Sequence, residues 1–364
     1  MFYCPTRIIF ADNAISLAKD KIATIGKKAL IVTGRNSAKQ SGALSDLLLV
    51  LKELGINYVL FDHIKENPTL DIIVEGKQIF KQNNCDCVIG IGGGSPIDAA
   101  KAISLSAANS LNRNEIYDTT LFKNAFPILA IPLTAGTGTE ATQYSVLSDP
   151  ITKKKAGFGS DLIFPVLAIL DPKYTLTLSP QVTLHTALDA LSHLLEGLYS
   201  NQRSPLVYPF IYQGIDSILH FLPLVLSAPD NLLARTELMQ AALYGGIVIA
   251  QGSTTLQHSI GYPLTSFYNI PHGLANAMVM EDIMELYYPV VALELNDLFS
   301  YLKISKNDFY NWLNALPFER KIELSDSFIE AAIPQIMNSR NMALNPLPVS
   351  EEQIRNIFEH IRAS

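Results

Sequence analysis

Asp189 and His193 stand four residues apart in Leu188-Asp-Ala-Leu-Ser-His-Leu-Leu-Glu196, and two further histidines, His258 and His272, follow far along the chain. On a helix, residues four apart lie one turn apart on the same face, so a carboxylate and an imidazole at that spacing can converge on one ion. The leucine-rich flanks imply that this helix is buried, and a buried carboxylate is costly unless something positive offsets it. A lone histidine on an apolar helix is most often a hydrogen-bonded core residue; the acid is what turns the reading toward a metal. Between Glu237 and Glu281 the chain has no Asp, Glu, Lys or Arg, and both later histidines fall inside that stretch. One carboxylate and three imidazoles make a mixed oxygen and nitrogen set that suits divalent iron, zinc, cobalt or nickel better than magnesium or calcium.

These side chains need a scaffold, and the first half of the chain supplies a rhythm for one. Lys28–Thr33, Tyr58–Phe61, Asp86–Ile91, Pro127–Ile131 and Val166–Leu170 read as strands, and Ser41–Leu54 and Leu70–Asn83 as amphipathic helices between them. Strands alternating with helices predict a mostly parallel sheet covered on both faces. From about Ser179-Pro180 helical patterns follow one another and strand signals stop, with the proline-bearing segment Asp171–Pro180 as the expected hinge. The expected division is an α/β dinucleotide-binding domain over 1–179 and an all-helical metal and substrate domain over 180–364.

A glycine-rich turn, Gly92-Gly-Gly-Ser-Pro-Ile-Asp-Ala-Ala-Lys101, directly follows a predicted strand. Ser95 is a favourable N-cap, Pro96 fits the first helical position, and Asp98 completes a capping-box-like start. Small residues before a helix N-terminus leave backbone N–H groups open to a diphosphate, which the helix dipole also favours. The bland alternative is a tight strand-to-helix turn, and the α/β setting weighs against it. A second turn, Pro132-Leu-Thr-Ala-Gly-Thr-Gly-Thr-Glu140, follows another strand and could complete a cleft or merely cap the next helix.

Composition narrows the possibilities. With 364 residues, two domains are the natural count. A formal net charge of −7 with 17% charged residues leaves no basic face for nucleic acid. The N-terminus lacks the basic and apolar regions of a signal peptide, and the longest purely apolar piece of the uncharged stretch, near Ala242–Ala250, is too short to span a bilayer. Cys4, Cys85 and Cys87 have neither metal-finger spacing nor an even count, so a reduced, cytoplasmic protein is expected.

Taken together, Gly92–Lys101, Thr134-Ala-Gly-Thr-Gly-Thr-Glu140, Asp189-Ala-Leu-Ser-His193, His258 and Pro271-His272-Gly273 resemble the iron-containing (group III) alcohol dehydrogenases, in that family's order and over nearly the whole chain. The resemblance implies a Rossmann-like N-terminal domain and an all-α C-terminal domain, in the architecture shared with dehydroquinate synthase. It further implies divalent iron, with zinc as an alternative, held by Asp189, His193, His258 and His272. In such a site the ion eases loss of the alcohol proton and NAD(H) or NADP(H) exchanges the hydride. By the same resemblance Gly92, Gly93, Gly94 and Ser95 lie along the diphosphate, Asp98 near the nicotinamide side, Thr134 and Thr137 on the facing turn, and Lys155 and Leu178 along the coenzyme. The implied substrates are small primary alcohols and aldehydes, handled by a homodimer with no nucleic-acid or membrane partner.

Two departures from the family stand out. Many members have His-Pro-Leu-Gly where this chain has Tyr262-Pro-Leu-Thr, so Tyr262 replaces a candidate proton relay and is expected chiefly to wall the pocket. Many have two threonines where this chain reads Leu133-Thr-Ala-Gly. At the end of the first predicted strand, Gly34-Arg35-Asn36-Ser37 lacks the acid that would bond the ribose hydroxyls and repel a 2′-phosphate, which predicts a preference for NADP(H). Two alternatives to an alcohol dehydrogenase are a dehydroquinate synthase-like lyase or other polyol dehydrogenase of the same architecture, and a nucleotide-responsive protein with a structural metal. The lyase needs a basic anion pocket beside the metal, and the uncharged stretch offers none.

Overall fold

A computed structural model describes residues 2–152 and 154–363. Six parallel strands form the sheet of the first half: β1 (Arg7–Phe10), β2 (Lys28–Thr33), β3 (Asn57–Phe61), β4 (Cys87–Gly92), β5 (Ile128–Pro132) and β8 (Leu167–Leu170). They lie in the order β1-β8-β5-β4-β2-β3. β4, β5 and β8 are buried at every position, because helices cover both faces, and this is why they read as unbroken apolar runs. From β2 the chain moves outward one way to β3, then returns to the other side of β2 for β4 and β5. That reversal opens a crevice at the carboxyl ends of β2 and β4, where ligands of such sheets bind.

β1 and an antiparallel hairpin of β6 (Tyr144–Asp149) and β7 (Lys154–Gly159) were not predicted. β7 reads Lys-Lys-Ala-Gly-Phe-Gly, residues with little strand preference, and its pairing with β6 supplies what local propensity does not.

Beyond β8 the described residues are helical apart from short turns and an isolated bridge between Ile322 and Arg362. Asp171 is fully buried and accepts the backbone N–H groups of Ala14 at 3.2 Å and Lys173 at 3.1 Å, so the expected hinge is a segment pinned to the start of the short helix Ala14–Leu17 that follows β1. The second half starts with helix Pro180–Tyr199, capped by Ser179, whose hydroxyl accepts the Val182 N–H. From Ala187 to Tyr199 this helix is buried all round, and its neighbours wrap it. Helix Tyr208–Ser227, with its preceding turn, is long and apolar enough to cross a membrane, but a helical stripe of Ile211, Ile215, Ile218, Leu222 and Val225 packs it into the bundle.

Candidate active site

The carboxyl ends of β2, β4 and β5 face helix Pro180–Tyr199 across a cavity of about 1340 Å³. At its inner end, Asp189 Oδ1 lies 3.7 Å from His258 Nε2 and 4.0 Å from both His193 Nε2 and His272 Nε2. Ligand atoms of Asp189, His258 and His272 fall within 4.8 Å of one another, and the His193 ring stacks on His258 with centroids 4.8 Å apart. Atoms bound to one first-row divalent ion at about 2.0–2.2 Å lie roughly 3–4 Å apart; Asp189, His258 and His272 come near that span, whereas His193 meets Asp189 Oδ1 at 4.0 Å but falls outside the three-residue group.

Three helices deliver the four candidate ligands. Asp189 and His193 share one face of the central helix, as their spacing predicts. His258 lies in helix Leu256–Tyr268, and His272 opens helix His272–Met278. Gly273 lets that last helix touch the central one: a Cβ there would lie 2.8 Å from Asp189 Cβ and collide with the His185 carbonyl. The side chain of Glu196 is wholly buried; its Oε1 accepts the Thr255 N–H at 2.6 Å and hydroxyl at 2.8 Å, and its Oε2 meets His258 Nδ1. It therefore anchors the start of the neighbouring helix, and it also fixes the His258 ring. With Nδ1 committed to Glu196, His258 presents Nε2 and its lone pair to the cluster, the arrangement typical of metal-ligating histidines. Burial holds His193 and His272 below the usual imidazole pKa, leaving them neutral and able to ligate. For His258 burial works the same way, but Glu196 outweighs it and the net shift is upward.

Asn276 was missed. Its Nδ2 lies 3.1 Å from Asp189 Oδ1 and 3.2 Å from His258 Nε2. The signal was present: Asn276 follows His272 by four residues on one helix, the relation that exposed Asp189 and His193.

The glycine turn lies on the opposite wall. The helix starts at Gly94, with Gly93 as an extended N-cap, so Ser95 is not the cap; its hydroxyl accepts the Asn67 N–H at 3.2 Å. Asp98 does not cap either, since its carboxylate accepts the Thr139 hydroxyl at 2.6 Å and the Val146 N–H at 3.0 Å. The first turn carries no acid and no side-chain cap, which leaves its N–H groups facing the cavity. Gly93, Gly94, Ser95, Thr134, Thr137 and Lys155 line the cavity, as do Asp98, Gly34 and Ser37. Among the residues expected at the coenzyme, Gly92, Arg35, Asn36 and Leu178 do not. Gly92 has φ +155° and a Cβ on it would strike the Pro96 ring, so its role is to make the turn. Arg35 and Asn36 point to solvent, and the Leu178 carbonyl accepts from Arg235 Nη2 at 3.3 Å. Lys65, which the sequence reading passed over, lines the same end as Gly34.

Beneath the two turns lies Lys101, fully buried. Its ammonium donates to the carbonyls of Thr139 at 2.6 Å, Thr142 at 2.8 Å and Tyr144 at 2.8 Å, and reaches the Thr139 and Thr142 hydroxyls. Burial lowers its pKa to about 8 against the attraction of Asp98 and Glu140, and burial raises Glu140 to about 7.

Lys155 and Tyr262 lie between the turns and the metal cluster. The Lys155 ammonium is 5.7 Å from the Tyr262 ring centroid, and burial lowers its pKa to about 8 while Asp189, Glu66 and Asp98 oppose the shift. The Tyr262 ring stacks on His272 at 5.3 Å with planes 2° apart. Burial raises its hydroxyl pKa well above that of free tyrosine. The uncharged stretch had pointed to a cavity without cations near the metal, but Lys155 from β7 and Arg340 from beyond helix Asp326–Met337 enter it from other segments.

Residues 5–172 match the family model described as iron-containing alcohol dehydrogenase, and residues 183–362 match the C-terminal model of the same family. The chain belongs to the iron-containing alcohol dehydrogenase family. Among curated proteins it is 33% identical to the long-chain primary alcohol dehydrogenase AdhA of Thermoanaerobacter ethanolicus, over 82% of this chain and 76% of that one. It is 31% identical to the NAD-dependent methanol dehydrogenase of Bacillus methanolicus over 78% and 74%, and 31% identical to the NADPH-dependent butanol dehydrogenase of Clostridium saccharobutylicum over 78% and 73%. Among solved structures, an iron-containing alcohol dehydrogenase from Thermotoga maritima superposes with a TM-score of 0.92 at 35% identity, covering 99% of both chains. Both halves of this family member thus have relatives of the same two-domain build, and the family match favours a dehydrogenase over the lyase alternative.

Proposed function

We propose that this iron-containing alcohol dehydrogenase family member interconverts small primary alcohols and aldehydes, using a divalent ion held by Asp189, His193, His258 and His272 and a nicotinamide coenzyme along Gly93–Ser95, Thr134 and Thr137. The observation that carries the reading is a one-ion ligand cluster and an uncapped, acid-free helix start in the walls of one cavity. Such an ion supplies Lewis acidity at the alcohol or carbonyl oxygen, and the coenzyme supplies the hydride acceptor or donor. The protein's part is positional. Glu196 and Asn276 orient the ligands, the glycine turn offers N–H groups to the diphosphate, and Lys155 places a positive charge between the two sites. The test is coenzyme turnover with an alcohol and aldehyde panel, using protein stripped of metal and reloaded anaerobically with iron or zinc. Full activity in the stripped protein would refute the reading.

Tyr262 is assigned to the pocket wall. Its flat face is spent on His272, and its hydroxyl has no hydrogen-bond partner among the described residues, so no chain of protein groups carries a proton onward from it. Tyr262→Phe should lower kcat by less than about tenfold, roughly 1.4 kcal/mol of barrier. A thousandfold loss with the metal retained would make the hydroxyl the relay.

The coenzyme preference we infer is NADP(H). Gly34 supplies no carboxylate at the end of β2, and Lys65 brings a cation to the same stretch of cavity wall. Lys39 is less available, being paired with Asp62 at 2.7 Å. A Cβ on Gly34 would lie 3.4 Å from the Ile64 carbonyl and 3.7 Å from Ser37 Oγ, close to ordinary contact, so an acid fits there without rebuilding the turn. Gly34→Asp is expected to move the kcat/KM ratio toward NAD(H) by at least tenfold. A native enzyme that clearly prefers NAD(H) would overturn the assignment.

A further inference from the structure

Among the described residues, three arginines make neither an ion pair nor a side-chain hydrogen bond: Arg7, Arg35 and Arg340. Only Arg340 lines the cavity that holds the metal cluster. It is not on a loose loop. The preceding residue, Ser339, shares a hydrogen bond of 2.8 Å with the hydroxyl of Ser259, next to the ligand His258. The following residue, Asn341, donates to the Thr254 hydroxyl at 2.9 Å, next to the Thr255 that Glu196 holds. The backbone carrying Arg340 is therefore tied on both sides to the segment that delivers His258.

Two tyrosines share this cavity with Arg340. Tyr262 stacks on His272 and Tyr144 lines the same cavity. Burial raises the Tyr144 hydroxyl pKa, while Ser253 and the positive charge of Arg340 oppose that rise. A molecule whose reacting carbon lies at the cluster therefore shares one cavity with Tyr262, Tyr144 and an unpaired guanidinium whose charge acts on Tyr144. Gln335, Ser253 and Thr254 add polar groups to the same part of the wall. A guanidinium offers a planar fork of N–H donors that matches a carboxylate in two parallel bonds, and it gives up hydration more readily than an ammonium.

We propose that Arg340 selects substrates bearing a compact anionic group at the end remote from the reacting carbon, that is, short hydroxy acids with a terminal CH₂OH and their aldehyde acids. The inference rests on the alcohol dehydrogenase reading above and adds the substrate class. The anion answers the one cleft arginine that the fold leaves unpaired.

The probes are 4-hydroxybutyrate and 1-pentanol, similar in length and different in terminal charge, each measured for kcat and KM with the metal-loaded enzyme. The native enzyme is expected to favour 4-hydroxybutyrate in kcat/KM. Arg340→Ala is expected to lower the ratio of the two kcat/KM values at least tenfold, mainly through KM for the acid, and Arg340→Lys to retain part of it because charge remains while the fork is lost. Circular dichroism of both variants checks the fold. A native preference for 1-pentanol, or a ratio that Arg340→Ala leaves unchanged, overturns the inference while turnover of 1-pentanol leaves the dehydrogenase reading standing. Failure of both substrates in metal-loaded enzyme sinks the dehydrogenase reading and this inference with it.

Discussion

His272→Ala should lower turnover at least a thousandfold, about 4 kcal/mol of barrier, while the helical half stays folded. The ring of His272 contributes a ligand atom to the cluster, its Nδ1 bonds to nothing among the described residues, and its Nε2 gives up only a long contact of 3.5 Å with Asn276 Nδ2, so little structural hydrogen bonding is lost with it. The contact that seats its helix belongs to Gly273 against the central helix, which the substitution leaves alone. Metal content, circular dichroism and steady-state rates read the three parts of the expectation separately. A variant that turns over at the native rate without bound metal would remove the cluster from the mechanism.

Glu196→Gln should act on both stability and metal affinity. Its carboxylate is wholly buried and accepts from Thr255 twice and from His258 through both its ring and, at 3.5 Å, its backbone N–H. Burial alone would raise its pKa, but His258 and Thr255 reverse that and hold it below the usual carboxylate value. A group with a depressed folded pKa contributes stability above its unfolded pKa and loses it as pH falls through the folded one, so the native protein should weaken in acid partly through this residue. An amide keeps one acceptor and turns a donor toward a neighbour that is itself donating. The expected result is a loss of about 2–4 kcal/mol near neutral pH and a metal affinity weakened 10–100-fold. Excess metal should then recover rate without recovering the melting temperature measured in its absence. Unchanged melting and affinity would show that His258 is held by other means.

The central strands and the ligand helix were legible because their burial is nearly complete, so sequence and environment agree: β2 runs from Lys28 to Thr33 as predicted, and Asp189 and His193 share a face because helical spacing demands it. The β6–β7 hairpin was not, since residues such as Lys155 and Gly157 acquire strand geometry only from partners across the ladder. Ser95 misled for a related reason. It has the chemistry of a cap, but glycines before it let the helix begin at Gly94. Arg340 was invisible because nothing nearby in sequence links it to His258; the link is Ser339 to Ser259, 80 residues apart. Asn276 could have been found by applying the four-residue rule once more.

Lys101 has one further implication. The turn across the cavity from the glycine-rich helix start is braced from within by a buried ammonium gathering oxygens of Thr139, Thr142 and Tyr144, which ties the loop after β5 and the first residue of β6 to the helix that follows β4. A loop tied in this way has its conformational freedom withdrawn during folding. On the proposed coenzyme site, an arriving dinucleotide would meet a mould already set, with little of its binding energy diverted into ordering the protein. Affinity on this side of the cleft should therefore show a small entropic penalty.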